Sequence, residues 1–271
     1  MLQTVAPKDY AKQGSWRLFF QSLSDIGLNN RGLVHIMSWT LLMVPAAAIL
    51  VLLIVMAIFL PGGRLPLVIL AAIYGLAFVA GLFVLSVYLA SAYVYLSLSI
   101  AKRQSLSLAQ LKTVAWAKMW YIFIVNFLVG LINQVVTAVQ IIPLIGAVIS
   151  LVLSVLISAF MAPATYILVD QNQNPIEAMK DSYNLVRAKG HMSVFVKMVL
   201  VFTVILMAAI MLFVLIFVLP AVMLLANKLI LLGSIWITIS AVVLFVLIIY
   251  SSLAYQICLA KRYLQVKPAQ D

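Results

Sequence analysis

The sequence predicts an all-α integral membrane protein, with six transmembrane helices laid out as three repeats of an amphipathic interfacial helix plus a transmembrane hairpin. Three observations predict it. Hydrophobic residues make up 66% of the 271-residue chain and charged residues 8%, with a mean hydropathy of +1.22; a soluble domain needs far more charge to coat its exterior. Six apolar runs are each long enough, at roughly 1.5 Å rise per residue, to cross about 30 Å of hydrocarbon. The basic residues fall almost entirely on one side of those runs.

The runs occupy residues 33–60, 65–100, 117–139, 141–169, 192–219 and 234–260. The second is longer than a bilayer requires, so it has to tilt or project past the membrane. Lys8, Lys12, Arg17 and Arg31 precede the first run. Lys102, Arg103, Lys112 and Lys118 fall between the second run and the start of the third, and Lys180, Arg187, Lys189 and Lys197 between the fourth and the start of the fifth. Lys261, Arg262 and Lys267 follow the sixth, and the opposite connections hold only Arg64 and Lys228. Cytoplasmic loops collect Lys and Arg, so the expected orientation is N-in and C-in, which requires an even number of spans. The same distribution sets nucleic acid aside as a partner, because the net charge of +11 is spread beside apolar runs and forms no dense basic block.

The first sixteen residues lack the apolar stretch of a cleavable signal peptide, so the first span is expected to act as the insertion signal and Met1 to remain. The single cysteine, Cys258, excludes an internal disulfide and a cysteine-based metal cluster. Pro61, Gly62, Gly63 and Arg64 have the chemistry of a tight outer turn, and a second outer turn is expected from Gln140 to Pro143. The third outer connection, 219–233, is apolar around Asn227 and Lys228 and is expected at the membrane interface or dipping into it.

Within one membrane domain spanning residues 1–271, repeat-like units are expected at 15–100, 105–170 and 174–262. The first opens with Trp16, Phe19, Phe20, Leu23 and Ile26 at helical spacing, with Gly27 as a stop. In the second, Ser107 and Gln110 form a capping box, Leu108, Leu111 and Ala115 share a face, and the helix continues into the third span. The third has Asn174 as N-cap, Pro175 at the first helical position, and Glu177 and Asp181 early. Ile176, Met179, Tyr183 and Val186 then recur at three and four, Arg187 and Lys189 come late, and Gly190 closes the helix. Such helices lie along the inner leaflet, with Trp16, Trp116, Trp120 and Tyr121 at headgroup depth, either as docking struts or as a lipid-sensing collar.

Ala162-Pro163 through Asp170, followed by the run from Asn174 to Val186 and Lys189-Gly190, resembles the proline-bearing span, acidic turn and helix of YciC-type bacterial inner-membrane proteins. The pattern also occurs in the membrane domain attached to some glycerophosphodiester phosphodiesterases. It covers about 30 residues; the spacing to Gly190 is slightly longer than in the family, and elsewhere the likeness is architectural. The resemblance implies a six-helix module in a bacterial inner membrane. It carries over no activity, since this chain has no segment long and soluble enough to be the phosphodiesterase.

The sequence holds few groups suited to catalysis. The acids are Asp9, Asp25, Asp170, Glu177, Asp181 and Asp271, and the histidines His35 and His191. None sits at mid-depth in a span, and no metalloprotease, phosphate-loop, nucleophile-elbow or dinucleotide motif occurs. The chain is therefore read as non-enzymatic, with no catalytic residue, cofactor or metal. Arg17, Lys102, Arg103, Arg187 and Lys189 are candidate lipid-headgroup contacts. Asn126 and Asn133, with the four-spaced Ser150, Ser154 and Ser158, form a candidate intramembrane polar cluster: a packing stripe, or the lining of a crevice for a small solute or lipid headgroup. Pro143 and Pro163 are positioned to bend the fourth span. The leading expectation is a protein that organises lipids or partner proteins, itself included as a homo-oligomer, through its cytoplasmic-face helices. The alternative is a small-solute or lipid transporter working between spans three and four.

Overall fold

The computed structural model describes residues 14–29, 31–39, 49, 64–104, 106–142, 145–188, 191–227 and 229–267, and among them every regular element is helical. In order these are α1 (Ser15–Asp25), α2 (Arg64–Ala101), α3 (Leu108–Thr137), α4 (Ile145–Met161), α5 (Ala164–Gln171), α6 (Pro175–Arg187), α7 (His191–Phe213), α8 (Leu219–Ala226) and α9 (Ile230–Val266). Residues 31–39 are helical as well. Among the described residues four segments are long and apolar enough to cross a membrane: Val68–Ala101, Leu108–Ile141, Ile145–Gln171 and His191–Met223. A multi-pass membrane protein is consistent with that. The sixth expected run lies inside the continuous helix α9. Most of the first, together with Pro61, Gly62, Gly63, Pro143, Lys189, Gly190 and Lys228, lies outside the described residues.

Local chemistry sets the helix starts. The Ser107 hydroxyl accepts from the Gln110 amide, and the Gln110 side chain accepts from the Ser107 amide, both at 3.2 Å, so the capping box is complete. From there α3 runs without a break into the apolar segment, as its sequence predicts. Asn174 accepts from the Glu177 amide at 2.9 Å and Pro175 opens α6. The fourth apolar run is divided. α4 stops at Met161, and the Pro163 carbonyl accepts from the amides of Tyr166 and Ile167, starting α5 afresh. Proline has no amide to continue the ladder and crowds the preceding turn. Asn172, in the left-handed region with φ 56°, ends α5. In the fifth run, five residues from Val214 to Val218 widen to π-helical spacing just before Pro220, whose missing amide the wider turn accommodates.

Burial divides the helices along their length. Large apolar side chains on 68–84 of α2, on the second half of α3, on the first half of α4 and on 200–218 stand exposed. Beyond Leu85 the pattern inverts, and Tyr88, Ala92, Leu96 and Ile100 of α2 pack with Phe19, Ile26, Ile36, Leu111, Ala115, Leu253 and Ile257. A second cluster joins Leu18, Leu98, Ile122, Ala164, Leu168, Ala178, Phe195 and Tyr263. The packed core therefore sits at the end where α2 and α9 finish and α3 and α7 begin. An exposed apolar half suits hydrocarbon, which covers such side chains at no desolvation cost.

Candidate functional site

That packed end carries most of the charge, and its centre is Asp170. An acid near the C-terminus of a helix opposes the helix dipole and needs cations nearby. Two arrive from far along the chain: Lys102 Nζ lies 2.5 Å from Oδ1 and Lys267 Nζ lies 2.8 Å from Oδ2. Each lysine directly follows the C-terminal residue of its own helix, α2 or α9, where the dipole favours a cation. Tyr263 donates its hydroxyl to Oδ2 at 2.9 Å. Burial and the neighbouring carboxylate push the Tyr263 phenol up, so it remains a donor at neutral pH. Its ring stacks on Tyr166, whose hydroxyl donates to the Gln256 carbonyl at 2.8 Å. Three helix C-termini are thus fastened by one carboxylate that is only 5% exposed.

Further polar contacts extend the junction. Lys118 of α3 donates to the Asn172 side chain. Gln173 donates at 3.0 Å to both Gln171 and Asp181, tying α6 to the end of α5. Ser182, fully buried on α6, donates to the Phe160 carbonyl at 2.6 Å. On the other side of the bundle the fully buried Lys261 of α9 pairs with Asp25 at 2.5 Å and donates to Ser22 at 3.3 Å, which anchors α1.

Helices α1 and α6 each pack some of their large apolar residues against the bundle and leave others exposed. On α6 the buried positions are Pro175, Ala178, Ser182 and Val186, while Ile176 is 73% exposed and Tyr183 lies with its ring 5.1 Å from that of Phe160 and with Arg187 over it at 5.9 Å. On α1, Leu18, Phe19 and Ser22 face the bundle, and Trp16 and Phe20 stand 48% and 61% exposed.

Of the candidate headgroup contacts, Lys102 is held by Asp170, Arg17 and Arg187 are exposed, and Lys189 lies outside the described residues. Arg103 adopts φ 55° just past α2 and borders an open cavity of about 740 Å³ with Gln104, Gln110 and Thr113. The intramembrane polar residues are not hydrogen-bonded to one another among the described residues. Asn126 is exposed; Ser150 accepts from Gln140 at 2.8 Å and donates to the Ala147 carbonyl; Ser154 and Ser158 are half-buried on α4. Asn133 Oδ1 is buried without a partner. Among the described residues no three His, Cys, Asp or Glu side chains converge as metal ligands.

Sequence reasoning counted Lys261, Lys267 and Asp170 without joining them. One signal was present: each acid in a chain with so few has a surplus of cations to choose from. In comparisons with family models, curated proteins and solved structures, nothing matches this chain.

Proposed function

We propose that this chain is a non-enzymatic multi-pass protein of a bacterial inner membrane, similar to the YciC-type family, that organises lipids or a partner protein through a collar of amphipathic helices at its basic, cytoplasmic end. The observation that carries this reading is the double-sided character of α1 and α6. One face of each is locked to the bundle, by Asp25 on Lys261 and by Ser182 on Phe160. The other presents Trp16 and Phe20, or Ile176 and Arg187, away from it. A strut needs only the first face. Aromatic and aliphatic side chains beside arginine at headgroup depth are the chemistry of a helix seated in an anionic leaflet. The six-span, threefold plan belongs to this reading, since it places all such helices on one side.

The experiment is native mass spectrometry of the protein extracted with its surrounding membrane in polymer discs. Retention of an anionic phospholipid or of a protein at fixed stoichiometry is expected. Release of a bare chain with bulk lipid composition would overturn the reading. A transporter reading has one observation in its favour, the unpartnered Asn133 Oδ1 in the apolar part of α3, which a transported solute or headgroup would satisfy.

A further inference from the structure

We infer that the cavity between residues 31–39, α2 and α3 binds one phospholipid of the bilayer, acyl chain inward and phosphate headgroup at Lys112. The inference rests on the lipid-organising reading and gives it a specific site. The cavity has a volume of about 670 Å³, within the range of roughly 300–1,000 Å³ typical of small-molecule sites. Its two ends differ in chemistry.

At one end His35 Nε2 and the Tyr88 hydroxyl are hydrogen-bonded at 2.9 Å. Trp39 meets the His35 ring edge-on at 6.2 Å, and Trp116 lies 5.4 Å from the Tyr88 ring. Lys112, one turn before Trp116 on α3, is exposed at the same mouth. Lys102 and Lys267 share Asp170, and Lys261 holds Asp25, but no acid pairs with Lys112 among the described residues. Two tryptophans, a tyrosine and an uncompensated lysine at one level make the composition of a membrane–water interface.

At the other end the wall is apolar: Leu85, Val84, Gly81 and Ala80 continue along α2 for about 12 Å beyond Tyr88 at helical rise. They lead into the half of α2 whose side chains stand exposed. At Gly81 an added Cβ would meet nothing within 4 Å, so the wall is recessed there. A soluble anion would use the mouth and leave the apolar wall wet. A phospholipid uses both, with its phosphate on Lys112 and the His35–Tyr88 pair and one chain along α2.

The test reconstitutes the full chain in phosphatidylethanolamine vesicles containing a minor fraction of phosphatidylglycerol with a photoreactive diazirine in its acyl chain, and maps the crosslinks by mass spectrometry. Crosslinks are expected to concentrate on 80–88 and 112–116. They should fall about fivefold in Lys112→Gln, the weight of one lysine at an anionic surface, and vanish from these segments in Gly81→Phe, which fills the recess. Both positions are exposed, so circular dichroism should show an unchanged helical chain. Crosslinks spread evenly over the lipid-facing parts of α3, α4 and α7, and indifferent to both substitutions, would overturn the site. If native mass spectrometry still shows a retained lipid while crosslinks gather on α1 and α6, this site is wrong and the collar reading stands. If no lipid is enriched by either measurement, this site falls, and the collar reading falls with it unless a protein is retained at fixed stoichiometry.

Discussion

Asp170 and Lys267, 97 residues apart in the chain, meet at 2.8 Å, and Lys102 approaches the other oxygen of the same carboxylate at 2.5 Å. The asymmetry of that arrangement predicts unequal mutants. Replacing Asp170 by Ala leaves two lysines facing each other across a site built for an anion, and a broken buried pair costs roughly 3–5 kcal/mol. The lysines are 31% and 20% exposed and can turn to solvent, which places the cost at the lower end. Replacing Lys102 by Gln leaves Asp170 with Lys267 and Tyr263, at about 1 kcal/mol. Thermal unfolding in detergent should therefore rank Asp170→Ala well below Lys102→Gln, and equal midpoints would mean that the carboxylate fastens nothing.

Lys261 is fully buried and Asp25 is the carboxylate it holds. Asp25→Ala should cost about 3–5 kcal/mol, because the lysine's charge stays inside without that partner. The loss should concentrate on α1, read as faster hydrogen exchange over 15–25. The double variant Asp25→Leu with Lys261→Met removes both charges and should recover most of the stability, since an apolar pair of similar volume carries no desolvation penalty.

The ion pairs of Asp170 and Asp25 also show where a single sequence stops being informative. A cap is a three-residue relationship, so Ser107 with Gln110 and Asn174 with Glu177 are legible from spacing alone. Lys261 with Asp25 is a relationship across the whole chain, and one sequence offers seventeen cations for six acids with nothing to rank them. On α6 the stripe of Ile176, Met179, Tyr183 and Val186 is legible from spacing, but which members meet the bundle is not: Val186 is buried and Met179 packs on the core, Ile176 stands exposed, and small residues such as Ala178 and Ser182 permit the close approach. Pro163 is legible as a bend; that it divides the run into α4 and α5 depends on the new helix start at its carbonyl.

The two faces of α6 should therefore respond oppositely. Ser182→Leu puts a bulky group where a hydroxyl touches the Phe160 carbonyl, and overpacking of this kind costs about 1–3 kcal/mol. Ile176→Ser alters a position that is 73% exposed and should shift stability by less than about 0.5 kcal/mol. In the polymer-disc measurement the ranking reverses, with the exposed-face variant losing retained anionic lipid. A matching loss of stability in both variants would make α6 a strut on all sides.

Gly146, the second residue of α4, packs against the turn that follows α3: a Cβ there would run into the Val139 carbonyl, with Gln140 Cα at 3.1 Å. Both neighbours are backbone, so neither can swing away. Gly146→Ala should cost about 1–3 kcal/mol despite the gain in helix propensity. The hairpin contains the Gln140–Ser150 hydrogen bond; Gly146→Ala and Ser150→Ala should therefore be non-additive in melting experiments. Simple additivity would place the glycine's role outside that turn.

Asn126 and Asn133 decide between a packed organiser and a transporter. Seven residues apart, they lie close to one line along α3, yet Asn126 is exposed and Asn133 half-buried with its oxygen unpartnered. Single cysteines at these positions, placed in a Cys258→Ala background, can be challenged with a membrane-impermeant maleimide that reacts only with thiolate in water. The packed arrangement predicts that neither is labelled, Asn126→Cys because its exposed side faces hydrocarbon and Asn133→Cys because it is half-buried in the bundle. Labelling of Asn133→Cys alone would report water reaching a buried amide from within the bundle. Labelling of both would make the polar face of α3 an aqueous path and turn the assignment toward transport.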